Sequence, residues 1–182
     1  STSAIAIQKL LALGVTPEIL SGDHTGAVAA VAKELGIAKF EGELLPEQKA
    51  ARVAAMTSAS RLVAMVGDGV NDAPALAAAT VGIAMGGGAD VAIEAADCAL
   101  LIDDPERIVS LIHLARKTRA TIRANLLWAF GYNVLALPLA AGALSPWTSW
   151  SLPASWAAAT MAASSVIVVT NSLRLRNVKL GS

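Results

Sequence analysis

Two stretches of this 182-residue chain, roughly residues 126–144 and 152–170, contain no charged side chain. A water-facing helix needs a polar face, so one ordinary soluble domain cannot account for the whole length. Each stretch is close to the ~20 residues that a membrane-spanning helix requires. Between them "SPWTSW" puts Trp147 and Trp150 where an interfacial aromatic belt would sit, with Pro146 and Pro153 to break the helices. Arg116, Lys117, Arg119 and Arg123 precede the first stretch, and Arg174, Arg176 and Lys179 follow the second. The positive-inside rule then places both ends on the cytoplasmic side and the tryptophan loop outside. A helical hairpin buried in a soluble protein is the competing reading, and the uncharged lengths weigh against it.

Charge divides the chain at the same place. Residues 1–106 hold all 14 acidic groups and 6 of the 14 basic ones, whereas residues 107–182 hold only basic groups, so the formal net charge of zero conceals two opposite halves. Ser1 to Ala12 lacks the basic start and apolar core of a secretory signal. Cys98 is the one cysteine, which excludes an intramolecular disulfide and an all-cysteine metal site.

The acidic half alternates in type. Ser3 to Leu13 has helical apolar spacing, "TPEILSGD" holds a short strand running to Asp23, and "HTGAVAAVAKELG" reads as a helix stopped by Gly36. A strand near Ala38 to Phe40 and a helix from Pro46 to about Thr57 follow. Leu62 to Val66 is short, partly β-branched and bounded by glycine, the pattern of a strand buried on both faces. After it come a helix for which Asn71 and Asp72 are N-cap candidates, a strand in "TVGIAM", a short helix from Ala89, and a strand in "CALLI" that holds Cys98. Such alternation predicts an α/β fold with a mostly parallel sheet and helices on both faces. "MGGGADVA" is better read as a tight strand-to-helix turn than as a phosphate cradle.

In "LVAMVGDGVNDAP", Gly67 and Gly69 permit a tight turn with close backbone approach, and Asp68 falls at the carboxyl end of a strand. Ligands of open α/β sheets bind in that crevice, and two carboxylates there, Asp68 and Asp72, call for a cation. Magnesium suits them, since it takes one or two carboxylates together with phosphate oxygens. Ser21 and Asp23 of "SGD" are placed after a strand in the same way, and Lys49 of "LPEQK" falls in the first turn of a helix. A hydroxyl, a lysine, two carboxylates and magnesium are the parts of a phosphoryl-transfer site. A solvated turn and a surface lysine are the plainer alternatives for each feature taken singly.

In their order, "SGD", "LPEQK" and "GDGVNDAPAL", followed by two uncharged stretches, resemble the phosphorylation domain and final hairpin of P-type ATPases, whose soluble core is of the haloacid-dehalogenase type. The resemblance covers essentially the whole chain. It implies that Asp68 binds magnesium, that Asn71 and Asp72 belong to the metal and phosphate site, and that Lys49 contacts the phosphoryl group. Ser21-Gly22-Asp23 stands where the family has threonine-glycine-aspartate, and serine keeps the hydroxyl. Asn125, Tyr132, Asn133 and Pro138 in the first stretch, and Met161, Ser164, Ser165 and Asn171 in and just after the second, resemble the signatures of copper(I)-transporting heavy-metal pumps. There Tyr132, Asn133, Met161 and Ser164 correspond to residues associated with the transported ion. A thioether suits copper(I), and Ser164 lies one turn from Met161, although small residues such as these also serve close helix packing.

The expected architecture is therefore a partial phosphorylation domain over 1–103, a helical stalk over 104–123, and two transmembrane helices, about 124–144 and 152–173, with a short basic cytoplasmic tail. The chain contains no "DKTGT", "TGE" or "CPC", so the resemblance makes it the carboxyl-terminal piece of a longer pump, not competent alone. It also implies ATP, copper(I), the bilayer, the remainder of the pump and a copper chaperone as partners, a bacterial inner-membrane location, and no nucleic acid. A pump for silver or zinc, a non-catalytic membrane or assembly module, and a soluble phosphatase of the same core fold are the other functions the residues leave open.

Overall fold

The computed structural model describes residues 2–59, 61–68, 70–86, 90–141 and 154–177. Helix α1 (Thr2–Ala12) leads to β1 (Glu18–Leu20), α2 (Thr25–Leu35), β2 (Lys39–Glu41), α3 (Pro46–Ser58) and β3 (Ala64–Gly67). A 3-10 turn at Val70–Asp72 enters α4 (Ala73–Ala78), and β4 (Val81–Met85), α5 (Asp90–Ala95), β5 (Cys98–Leu100), α6 (Glu106–Ala140) and α7 (Ala154–Leu173) follow. The chain divides into a unit of residues Ser1–Val109 and a second of Ser110–Ser182.

Local chemistry accounts for several boundaries of the first unit. Gly36 ends α2 in the left-handed conformation at φ 71°, where a side chain would be strained, and Ile37 N–H reaches back to the Ala32 carbonyl. Pro46 occupies the first turn of α3, where its missing N–H costs nothing, and Gln48 Oε1 accepts from Leu45 N–H at 2.9 Å. His24 Nδ1 caps α2 by accepting from Gly26 N–H.

All strand pairs are parallel. β1 pairs with β2 (Ile19 opposite Phe40), and β3, β4 and β5 form a three-stranded sheet in that order, with Val66 opposite Ile83 and Ala84 opposite Ala99. The strand buried on both faces is β4, not the expected run at 62–66. Gly82, Ile83, Ala84 and Met85 are buried, while β3 starts only at Ala64, is half-buried at best, and leaves Leu62 90% exposed. The cause is position: among the described strands β4 has two neighbours and β3 has one. Leu76 of α4 and Val53 of α3 fill the core between helices and sheet, and α3 packs along α4. A Cβ on Gly82 would come within 2.9 Å of the Leu76 carbonyl oxygen, so α4 lies close on β4 because that residue has no side chain.

In the second unit α6 and α7 carry no charged residue from Ala124 to Ala140 or from Ala154 to Leu173. Among the described residues no helix is long and apolar enough to cross a membrane. The "SPWTSW" loop, Gly69, and Gly87 to Ala89 of the glycine cluster lie outside the described residues.

Candidate functional site

The strand expected to run to Asp23 ends at Leu20. Ser21 Oγ accepts from the Asp23 N–H at 3.1 Å and donates to Asp23 Oδ2 at 3.0 Å, and this side-chain turn bends Ser21-Gly22-Asp23 out of extended geometry. The loop is held from behind by the segment entering α3. Ser21 N–H donates to the Glu41 carbonyl, Glu43 N–H to the Asp23 carbonyl at 2.7 Å, and Leu44 N–H to the Ser21 carbonyl at 3.0 Å. Gly42 permits this approach, because a Cβ there would sit 2.7 Å from Thr25 Cα. Glu43 takes a left-handed φ of 56° and accepts from Thr25 Oγ1 at 2.7 Å. Neither Gly42 nor Glu43 stands out in the sequence; a glycine directly after a short strand is the one signal that could have marked the turn.

Lys49, one turn into α3, reaches the other half of the site. Its Nζ lies 3.0 Å from Asp72 Oδ1, with both side chains largely buried at 13% and 15% exposure. Asp72 is the N-cap residue of α4 by position, yet its side chain makes no cap hydrogen bond. The expected capping is thus absent, because the carboxylate has a cation to meet instead. Gly67 makes room for it, since a Cβ at that position would come within 2.6 Å of Asp72 Cβ. Asp68 follows at the end of β3 and is exposed, as is Asn71 in the turn before α4. The structure therefore joins Lys49 to Asp72 directly and ties Ser21-Gly22-Asp23 to the start of the helix that carries Lys49.

In the second unit Asn133 is exposed on α6 and Ser164 half-buried on α7. Tyr132 and Met161 lie in the same two helices, and their side chains are outside the described set. Among the described residues no group of three or more His, Cys, Asp or Glu side chains gathers as a metal site.

A parallel α/β domain with carboxylates at a strand's carboxyl end and a lysine bonded to one of them is the arrangement of a haloacid dehalogenase-like domain, and the family model of haloacid dehalogenase-like hydrolases matches residues 2–80. The chain is 50% identical over 175 residues, 96% of its length, to a copper-exporting P-type ATPase of Vibrio cholerae, and 48% identical over 179 residues to one of Bacillus subtilis. Its fold matches a solved zinc-transporting PIB-type ATPase with a TM-score of 0.82 at 45% identity, covering 94% of this chain and 27% of that one. Over nearly its whole length the chain is thus similar to one part of the heavy-metal P-type ATPases. It spans 19% and 21% of the length of the two curated relatives.

Proposed function

We propose that this chain is a segment of an ATP-driven copper(I) export pump that works through a phosphoenzyme. In this reading residues 1–103 are part of the phosphorylation domain, 104–123 a stalk, and 124–182 a membrane hairpin with a basic cytoplasmic tail. The observation that carries the soluble half is the 3.0 Å contact of Lys49 with Asp72, which unites "LPEQK" and "GDGVNDAPAL" in one place. Lys49 supplies positive charge beside the phosphoryl oxygens, the Ser21 hydroxyl donates to one of them on turning away from Asp23 Oδ2, and the hydrogen bonds from Glu43 and Leu44 hold that loop in position. An exposed Asp68 and an Asp72 with one oxygen free of Lys49 fit magnesium, which accepts one or two carboxylates and draws its other ligands from water and phosphate. When bound, that ion supplies neutralisation of the phosphate charge. Asn71 stays in the assignment as a neighbour of both carboxylates in the turn.

The hairpin is supported by the absence of charge from residue 124 to residue 173 and by the apolar outer faces of α6 and α7, where Leu127, Phe130, Val134 and Val166 are all more than 60% exposed. A similarity that runs through both halves weighs against a soluble phosphatase. Both termini are placed in the cytoplasm, with lipid, ATP, the rest of the pump and a copper chaperone as partners. Tyr132, Asn133, Met161 and Ser164 are assigned to the transported ion, and a thioether among them favours copper(I). Zinc is the second reading, favoured by the zinc-transporting structure to which the fold is similar.

The two readings separate in a pump made by grafting this chain into the corresponding segment of the Vibrio cholerae relative. Copper(I) is expected to stimulate its ATP hydrolysis and zinc is not. Met161→Leu, which keeps volume and helix propensity but removes the sulfur, is expected to lower stimulation by copper and silver alike while insertion persists. Normal copper stimulation in that variant makes Met161 packing, and stimulation by zinc alone overturns the copper assignment.

A further inference from the structure

Three polar side chains of α6 and α7 have no part in the ion site just assigned, and they bond to one another. Asn171 Nδ2 donates to Asn125 Oδ1 at 2.7 Å, Asn125 Nδ2 donates to Ser172 Oγ at 2.9 Å, and the Ser172 hydroxyl donates to the Val168 carbonyl at 2.8 Å. The direction is dictated by chemistry. Ser172 has one proton, already used within α7, so it can only accept from Asn125, which leaves the Asn125 oxygen for Asn171. One asparagine of α6 is thereby held at two points by α7, in a segment without charge where few other polar partners compete.

Burial shows which faces this contact selects. On α7 the half-buried residues Ser164, Val168 and Asn171 follow one another at spacings of four and three, a single helical face. On α6 Asn125 and Ala129 are half-buried one turn apart. Ser164 stands seven residues before Asn171, and Tyr132 seven after Asn125. Two turns of helix return to nearly the same face, whereas a slip of one residue turns a helix by about 100°.

We propose that Asn125 is a positioning residue: its bonds to Asn171 and Ser172 fix the rotation and register of α6 against α7, and so set where the assigned ion-site positions two turns away stand. The second clause rests on the copper reading; the first does not.

The test uses the full chain in lipid nanodiscs with Cys98→Ser, Ala129→Cys and Val168→Cys, and measures the rate of disulfide formation between the two helices under mild oxidation. Asn125→Leu is expected to slow that rate about tenfold, the scale of losing such hydrogen bonds within a bilayer. In the grafted pump the same substitution is expected to raise the copper(I) concentration for half-maximal ATP hydrolysis about tenfold, with maximal turnover nearly kept. The exchange Asn125→Ser with Ser172→Asn, which restores a cross-helix bond, is expected to recover both. Where Asn125→Leu fails to insert, Asn171→Leu breaks the contact from the other helix and carries the same expectations. An unchanged cross-linking rate overturns the proposal. Weaker copper response at an unchanged cross-linking rate also overturns it, since Asn125 would then act on the ion itself. A slower cross-link in a pump that copper never stimulates upholds the helix lock and overturns the copper reading instead.

Discussion

Lys49 and Asp72 should behave as one energetic unit, and the size of their coupling follows from their geometry. At 3.0 Å, two unit charges in an effective dielectric of about 20 attract by roughly 5 kcal/mol. Much of that is offset by removing both groups from water, which they have largely left. Loss of one partner leaves the other charge buried alone, so Lys49→Met or Asp72→Asn is expected to destabilise the surrounding elements by about 2–4 kcal/mol. The double variant leaves no orphaned charge and should fall within about 1 kcal/mol of the parent, a coupling energy of about 3 kcal/mol or more. Hydrogen exchange of peptides from α3 and α4 in the full chain reads this locally, because each 1.4 kcal/mol is about a tenfold change in protection. Each single variant should therefore exchange some 30-fold faster or more, and the double variant should recover most of the loss. Strictly additive effects, with a coupling below about 0.5 kcal/mol, would refute the argument that this contact organises the site.

Gly67→Ala forces a methyl group to within 2.6 Å of Asp72 Cβ, so Asp72 must shift; the expected cost is about 1–3 kcal/mol, and the Lys49 to Asp72 coupling measured in that background should shrink. At Glu43 two effects separate: Glu43→Ala loses the 2.7 Å bond from Thr25 and keeps the left-handed strain at φ 56°, while Glu43→Gly loses the bond and relieves the strain. The glycine variant is therefore expected to be more protected than the alanine variant by about 1 kcal/mol in exchange of the loop at residues 41–45.

How much of this was legible beforehand depended on whether the cause was local. The Gly36 stop and the Pro46 start of α3 depend on one residue's own backbone, and both helices fall where those residues place them. Capping by Asp72 was also a local expectation, but it lost to Lys49, 23 positions away in sequence, a competitor that only tertiary structure reveals. Burial of the run at 62–66 was read from composition, which cannot say how many neighbours a strand will have; β4, with β3 and β5 on its two sides, took the central place. The turn at Gly42 and Glu43 and the bonds of Asn125 to Asn171 and Ser172 are long-range in the same sense: Asn125 and Asn171 stand in the signatures the sequence shows, but which side chains they meet is not written there.

The central claim is that the loop after β3 serves phosphoryl transfer, and the most direct measurement is phosphoenzyme formation from γ-labelled ATP in the grafted pump, with and without Asp68→Asn. Replacing an exposed carboxylate by an isosteric amide leaves packing untouched and weakens the magnesium ligand. The account predicts acid-stable label in the parent graft and almost none in Asp68→Asn, with copper(I) binding in the membrane half retained. Equal labelling in the two proteins would contradict it and reduce Asp68 to a turn residue.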